Sequence, residues 1–239
     1  MRSVAINIGA NTNEPGFRGP IFADGSFEYI PIPESASTRD DVFVPAYADL
    51  DLETDISDVA RTPVHLDPTF SGVHGSTTYT YGDPHGIKAS PLLALEAGDY
   101  VFFYATLSVD AVDDPAAWIT PEWGAYVIGH FRLADNPVDA ADGLTEAERS
   151  RFEHNAHLKR DPFDARVLLN GDEDESKLYE VAVPLSSPTA GVDANRLVTE
   201  LSSDSGKGPW WRRPMRFDRT GTEHLLEIES NEERMRILE

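Results

Sequence analysis

The chain has 239 residues, enough for a substantial core, and 42 acidic against 20 basic residues give it a formal charge of -22. Cysteine is absent, which excludes disulfides, thiolate catalysis and cysteine-based zinc sites. The sequence shows no basic, apolar leader and no apolar run of membrane-spanning length, so the expectation is a soluble, cytoplasmic protein with no membrane partner. The acids are spread along the whole chain, and only four basic residues are lysines: Lys88, Lys159, Lys177 and Lys207. Such a surface repels itself in dilute salt and is tolerated near 1 M, where the screening length falls to about 3 Å.

In chain order, Val4–Ile8 reads as a short apolar strand that breaks at Gly9 into a loop rich in Gly, Asn and Pro. The chain becomes extended again at Phe27–Ile32. Glycines let backbone N–H groups approach a ligand, and a loop presented by a rigid strand is a natural place for function. Asp40–Ala60 is an acidic loop region. Arg61–Gly86 is a second loop-rich block holding His65, His74 and His85, with Thr77–Tyr81 as a short strand and a turn at Gly82-Asp-Pro.

The clearest core is Tyr100–Leu107, YVFFYATL, a buried strand by its β-branched and aromatic content. Tyr126–Leu133 is its expected sheet neighbour, with His130 as a core histidine. Thr145–Arg160 reads as one helix opened by a Thr145/Glu148 capping box. Ala165–Leu169 and Tyr179–Leu185 follow as strands, Asp193–Leu201 as a short helix capped by Asp193, and His224–Ile228 as a strand before a charged tail. Strands dominate, and no long linker divides the chain. The expected fold is α+β: a strand-rich single domain, residues 1–239, around a curved sheet or open barrel.

Gly206–Arg219, GKGPWWRRPMRFDR, holds a quarter of all basic residues, interleaved with Trp210, Trp211 and Phe217. Aromatic faces stack on bases, and guanidinium groups chelate phosphates. Equally, the tryptophans could be core and the arginines paired with the many acids. Walker A, G-x-G-x-x-G, G-x-S-x-G and H-E-x-x-H are all missing from the sequence. His65-x-Asp67 matches the first two ligands of a facial-triad iron site, and a later histidine could supply the third. Because such triplets arise easily by chance, no residue is assigned as a metal ligand, and no catalytic residue or cofactor is assigned.

GANTNEPGFRGPIFADGSFEYIPIPE (residues 9–34) and HLDPTFSGVHGSTTYTYGD (residues 65–83) resemble the nucleotide modification associated domain of the third type, over nearly the whole chain. The pairing of residues 97–104, AGDYVFFY, with residues 127–130, VIGH, is similar to strands of PUA-like domains of the EVE and ASCH type. These bind modified bases in RNA or DNA in a pocket on a small barrel. The acidic profile resembles that of cytoplasmic proteins from salt-accumulating, halophilic archaea. Together these resemblances imply a partner that is a nucleotide or nucleic acid. Three functions stay open.

The first function is recognition of a nucleotide or modified base within a modification system. Arg18 and the Gly9–Gly19 loop would meet phosphate, Asn11 and Asn13 would read the base edge, and Trp210 or Trp211 would stack. Phe17, Arg212 and Arg213 complete the candidate ligand-binding set together with His74 and His85. The second is an enzyme that modifies or hydrolyses a nucleotide with His65, His74 or His85 as acid, base or metal ligand. The third is an oligomeric assembly protein with the Trp/Arg stretch at its interface.

Overall fold

The computed structural model describes residues 1–110 and 114–230. In chain order its strands are β1 Ser3–Asn7, β2 Gly19–Ile21, β3 Ile32–Pro33, β4 Val64–His65, β5 Thr80–Asp83, β6 Tyr100–Val109 and β7 Trp123–Arg132. They continue with β8 Val138–Asp139, β9 Val167–Asn170, β10 Lys177–Pro184, β11 Ser186–Ser187, β12 Ala190–Ala194 and β13 Met215–Phe217. The helices are α1 Gly86–Leu93, α2 Glu146–Arg151, α3 Ala156–Lys159, α4 Arg196–Thr199 and α5 Arg219–Ser230. Strand covers 32% of the chain and helix 17%, so the fold is α+β and strand-rich, as expected. Among the described residues no sheet closes into a barrel, and no helix is long and apolar enough to cross a membrane.

The residues form two compact units, each assembled from separated stretches of chain. The first comprises, among the described residues, Met1–Ile30, those of Asp99–His130, and residues 178–230. Its sheet runs β10-β7-β6-β1-β13, with β2 also on β6. β6 is buried along eight of its ten residues, which is why its sequence is a continuous apolar run without alternation. β1 pairs in parallel with the first half of β6, from Ser3 opposite Tyr100 to Asn7 opposite Tyr104. β2 pairs in parallel further along, from Gly19 opposite Leu107 to Ile21 opposite Val109. The chain therefore leaves β6 after Asn7 and returns to it at Gly19, with the intervening loop pinned at both ends. Gly9 makes the exit turn at φ +78°, a conformation glycine adopts without a Cβ penalty. On the other side of β1, antiparallel pairing with β13 sets Val4 opposite Arg216. His130 is a core histidine, its Nδ1 2.8 Å from the Tyr179 hydroxyl.

The second unit comprises Pro31–Gly98 and Phe131–Lys177. β3 and β4 pair antiparallel, Ile32 opposite His65 and Pro33 opposite Val64, and a separate sheet runs β5-β9-β8. Phe70, Tyr79 and Phe131 pack edge to face, Phe70 and Phe131 with centroids 5.4 Å apart.

Four local expectations are corrected. Thr145–Arg160 is two short helices. The Thr145/Glu148 capping box opens α2, but Asn155 accepts the His157 amide at 3.0 Å and starts α3 afresh. Asn195, not Asp193, caps α4 through the Leu197 amide. The turn expected at Gly82-Asp-Pro begins later, since Gly82 and Asp83 lie within β5. His224–Ile228 is part of α5, not a strand. Asp218 accepts the Gly221 amide at 2.9 Å, and Thr222, Leu225 and Ile228 are all buried, a three-residue spacing that only a helix places on one face. The charged tail lies outside the described residues. If α5 is the helix described, Leu225→Ala and Ile228→Ala should each cost about 2–5 kcal/mol in urea unfolding; a strand would spare one of the two.

Candidate functional site

Two groups of side chains merit description, one within each unit. In the first unit, the pinned loop ends at Arg18 and the 3-10 turn Trp210–Arg212 leads into β13. Between them stands Trp123, the first residue of β7. The Arg18 guanidinium lies over the Trp123 ring, 4.3 Å from its centroid, and Trp211 meets the same ring edge to face at 5.3 Å. Burial, and secondarily the charge of Arg212, make the Arg18 guanidinium less basic than usual. Among the described residues, Arg18 Nε is buried without a hydrogen-bond partner. A hollow of about 300 Å³ opens beside Trp123, between Pro121–Trp123 and Thr189–Val192.

The other residues singled out from the sequence in this unit divide sharply. Trp210 is fully buried and its indole donates to the Val192 carbonyl at 2.9 Å, so it is a core anchor and offers no ring face to a base or a second subunit. Arg213 is held by Asp204 through two 2.8 Å bonds. Arg212 is exposed and Phe17 is half-buried. Asn11 accepts the Asn13 amide at 2.9 Å, an Asx turn that shapes the loop. The structure thus brings Arg18 and Trp211 together around Trp123, with the charge of Arg212 close enough to act on Arg18; no local pattern in the sequence marks Trp123.

In the second unit, pairing of β3 with β4 sets Glu34 beside His65, and the helix break at Asn155 delivers His157 to the same place. His65 Nδ1 lies 2.7 Å from Glu34 Oε2, and His157 Nδ1 lies 2.6 Å from Asp164 Oδ1. Arg160 joins the two carboxylates, 2.8 Å from Glu34 Oε1 and 2.7 Å from Asp164 Oδ2. Burial works against ionisation of Glu34, yet hydrogen bonds from His65, Arg160 and the Ala36 amide hold its pKa down to about 2. Asp164 is likewise held to about 2, burial being outweighed by His157 and Arg160. An ionised carboxylate only accepts, so contacts this short place a proton on Nδ1 of each imidazole. Nε2 then faces inward. Burial lowers the pKa of His65 more than Glu34 raises it.

Both Nε2 atoms face Asp67. Its Oδ2 is 4.0 Å from His65 Nε2 and 3.6 Å from His157 Nε2. The Gly82 amide and Asn155 Nδ2 each donate to Asp67 at 2.9 Å. Full burial nevertheless drives its pKa up to about 7, with Asp83 adding to the rise and His157 and these donors opposing it. Gly82 is required here by space: a Cβ would sit 2.6 Å from His157 Cδ2. Among the described residues, the two-His, one-Asp set is the one that could hold a metal. His74, half-buried at φ +49°, and His85, exposed ahead of α1, stand outside it. On the continuous helix expected over Thr145–Arg160, His157 pairs with His154 at a spacing that matches no metalloprotease helix, so nothing joins it to His65 and Asp67. The signal that marks it is Asn155, a capping residue two positions earlier.

Glu34 ionises more readily folded than unfolded, so its stabilisation is complete above its ordinary value of 4.5 and is lost as pH falls through about 2. Glu34→Gln should therefore cost about 3 kcal/mol at neutral pH, a difference that shrinks between pH 4.5 and 2. Denaturant unfolding of both proteins across that range checks it.

A family model described as nucleotide modification associated domain 3 matches residues 2–227. Comparison with curated proteins and with solved structures gives no match.

Proposed function

The chain belongs to the nucleotide modification associated domain 3 family, and from that premise we propose that it recognises a nucleotide or modified base of nucleic acid at the Arg18–Trp123–Trp211 face. A role in nucleotide modification systems is what the family suggests; the recognition step is our reading. It is carried by one observation, the Arg18 guanidinium stacked on Trp123 with its Nε unpartnered. Stacking fixes the guanidinium plane and leaves its edge N–H groups to chelate a phosphate. Arg212 adds a second positive charge. The adjoining hollow, about 300 Å³, is at the small end of ligand pockets and suits one base better than a longer segment.

The chain's charge of -22 argues for the same mode. A surface of that sign repels a polyanion at long range, and counterion release adds little in concentrated salt. Affinity must come from contact: chelation, stacking and shape, which favour a splayed or free nucleotide over a coated duplex. The catalytic reading draws on a different feature, the His65–Asp67–His157 cluster, to which His74 and His85 do not contribute.

Titration of the protein in 1 M KCl with nucleoside monophosphates and short oligonucleotides bearing unmodified or modified bases tests the proposal. The Arg18→Ala and Arg212→Ala double variant should bind at least tenfold more weakly, while Arg216→Ala, the exposed middle residue of β13, should match the wild type. Equal binding by the double variant and the wild type would refute the proposal.

A further inference from the structure

We propose that His65, Asp67 and His157 form a binding site for one divalent first-row transition metal ion. The inference rests on the second unit alone and does not depend on the nucleotide reading. Each residue turns one ligand atom towards a common space, the atoms all lying within 4.8 Å of one another. Ligands about 2.0–2.2 Å from a tetrahedral ion sit about 3.4 Å apart. The observed 3.6 and 4.0 Å from Asp67 Oδ2 to the two Nε2 atoms lie close to this, and the set as a whole, spread over up to 4.8 Å, must draw its two imidazoles together to enclose an ion.

The surroundings match what a metal site requires beyond its ligands. Metal-binding histidines give the other ring N–H to a carboxylate or carbonyl, which fixes the tautomer and orients the lone pair. Both histidines here do so, to Glu34 and Asp164, and Arg160 holds both carboxylates in place. Asp67 is fixed in the same way, by the Gly82 amide and Asn155. The two rings approach edge to face, centroids 4.7 Å apart.

Charge gives an independent argument. Metal ligation requires Asp67 deprotonated, and in that state Glu34, Asp67 and Asp164 carry three negative charges against the single positive charge of Arg160, which leaves two uncompensated in a largely buried cluster. A divalent cation restores neutrality, and burial of unpaired charge is otherwise expensive. The donor set selects among cations. Two imidazoles and one carboxylate suit zinc, iron(II), cobalt(II) or manganese(II), whereas magnesium and calcium prefer all-oxygen shells. Three protein ligands leave at least one position for water or a small exchangeable ligand.

Chelator-treated protein in 1 M KCl with excess Mg²⁺, which occupies the surface carboxylates, is titrated with Co²⁺ and separately with Zn²⁺. The expected result is one ion per chain, visible Co²⁺ bands of mixed nitrogen and oxygen ligation, and a higher Tm with Zn²⁺. His65→Ala and His157→Ala should each lose at least tenfold in affinity, while His154→Ala, an exposed histidine, should behave as wild type. Should the alanine variants fail to fold, the isosteric Asp67→Asn and the wild-type Co²⁺ spectrum decide the matter. A wild type that takes up no ion under these conditions, or folded variants that keep its stoichiometry and bands, overturns the proposal.

Discussion

Arg160 is the group on which the order of the second unit's buried cluster depends. One guanidinium is shared between Glu34 and Asp164, and each of those carboxylates is the partner of a histidine Nδ1. A carboxylate buried without such a partner would take up a proton or unfold the segment that carries it. With Arg160 present, both remain ionised acceptors and both imidazoles are held in one tautomer. Elements far apart in sequence meet here. Glu34 follows β3, His65 ends β4, and His157 sits at the start of α3, beyond a helix break made by Asn155. That asparagine has two tasks, capping α3 with its oxygen and donating to Asp67 with its nitrogen.

The first unit solves a different problem, which is to present positive charge on a chain whose charge is -22. Arg213 shows the usual fate of an arginine in such a protein, capture by a neighbouring carboxylate, here Asp204. Arg18 escapes it by lying on Trp123. The indole face supplies attraction to the cation without consuming its N–H donors. The two loops that carry Arg18 and Trp211 are brought near one another because β1 has β6 on one side and β13 on the other.

Much of the fold was legible in the sequence where one physical signal dominated. β6 and β7 are continuous apolar runs and were expected within a few residues of their ends; the Thr145/Glu148 capping box opens α2 as expected. What escaped were elements decided by competition. HLLEI is short and mostly apolar and so reads as a strand, and only the helical spacing of Thr222, Leu225 and Ile228 tells otherwise. Asn155 is an ordinary polar residue in a helical pattern until Asp67 is placed beside it. At the sites, the basic and aromatic stretch Gly206–Arg219 was recognised, yet its two tryptophans went different ways. Trp210 entered the core, and Trp211 stayed beside Trp123, whose part in the face no local pattern announces. His65-x-Asp67 was visible as a motif, but its third member depends on a chain reversal that spacing cannot encode.

The central claim is that Glu34 and Asp164 aim two imidazole lone pairs at Asp67. Long-range ¹⁵N–¹H NMR of the histidine rings, on metal-free protein at pH 8, reports it directly. The account predicts that His65 and His157 both carry their proton on Nδ1 and show a bare Nε2, with Glu34→Gln altering His65 and leaving His157 largely unchanged. Protons found on Nε2 of either ring would contradict it.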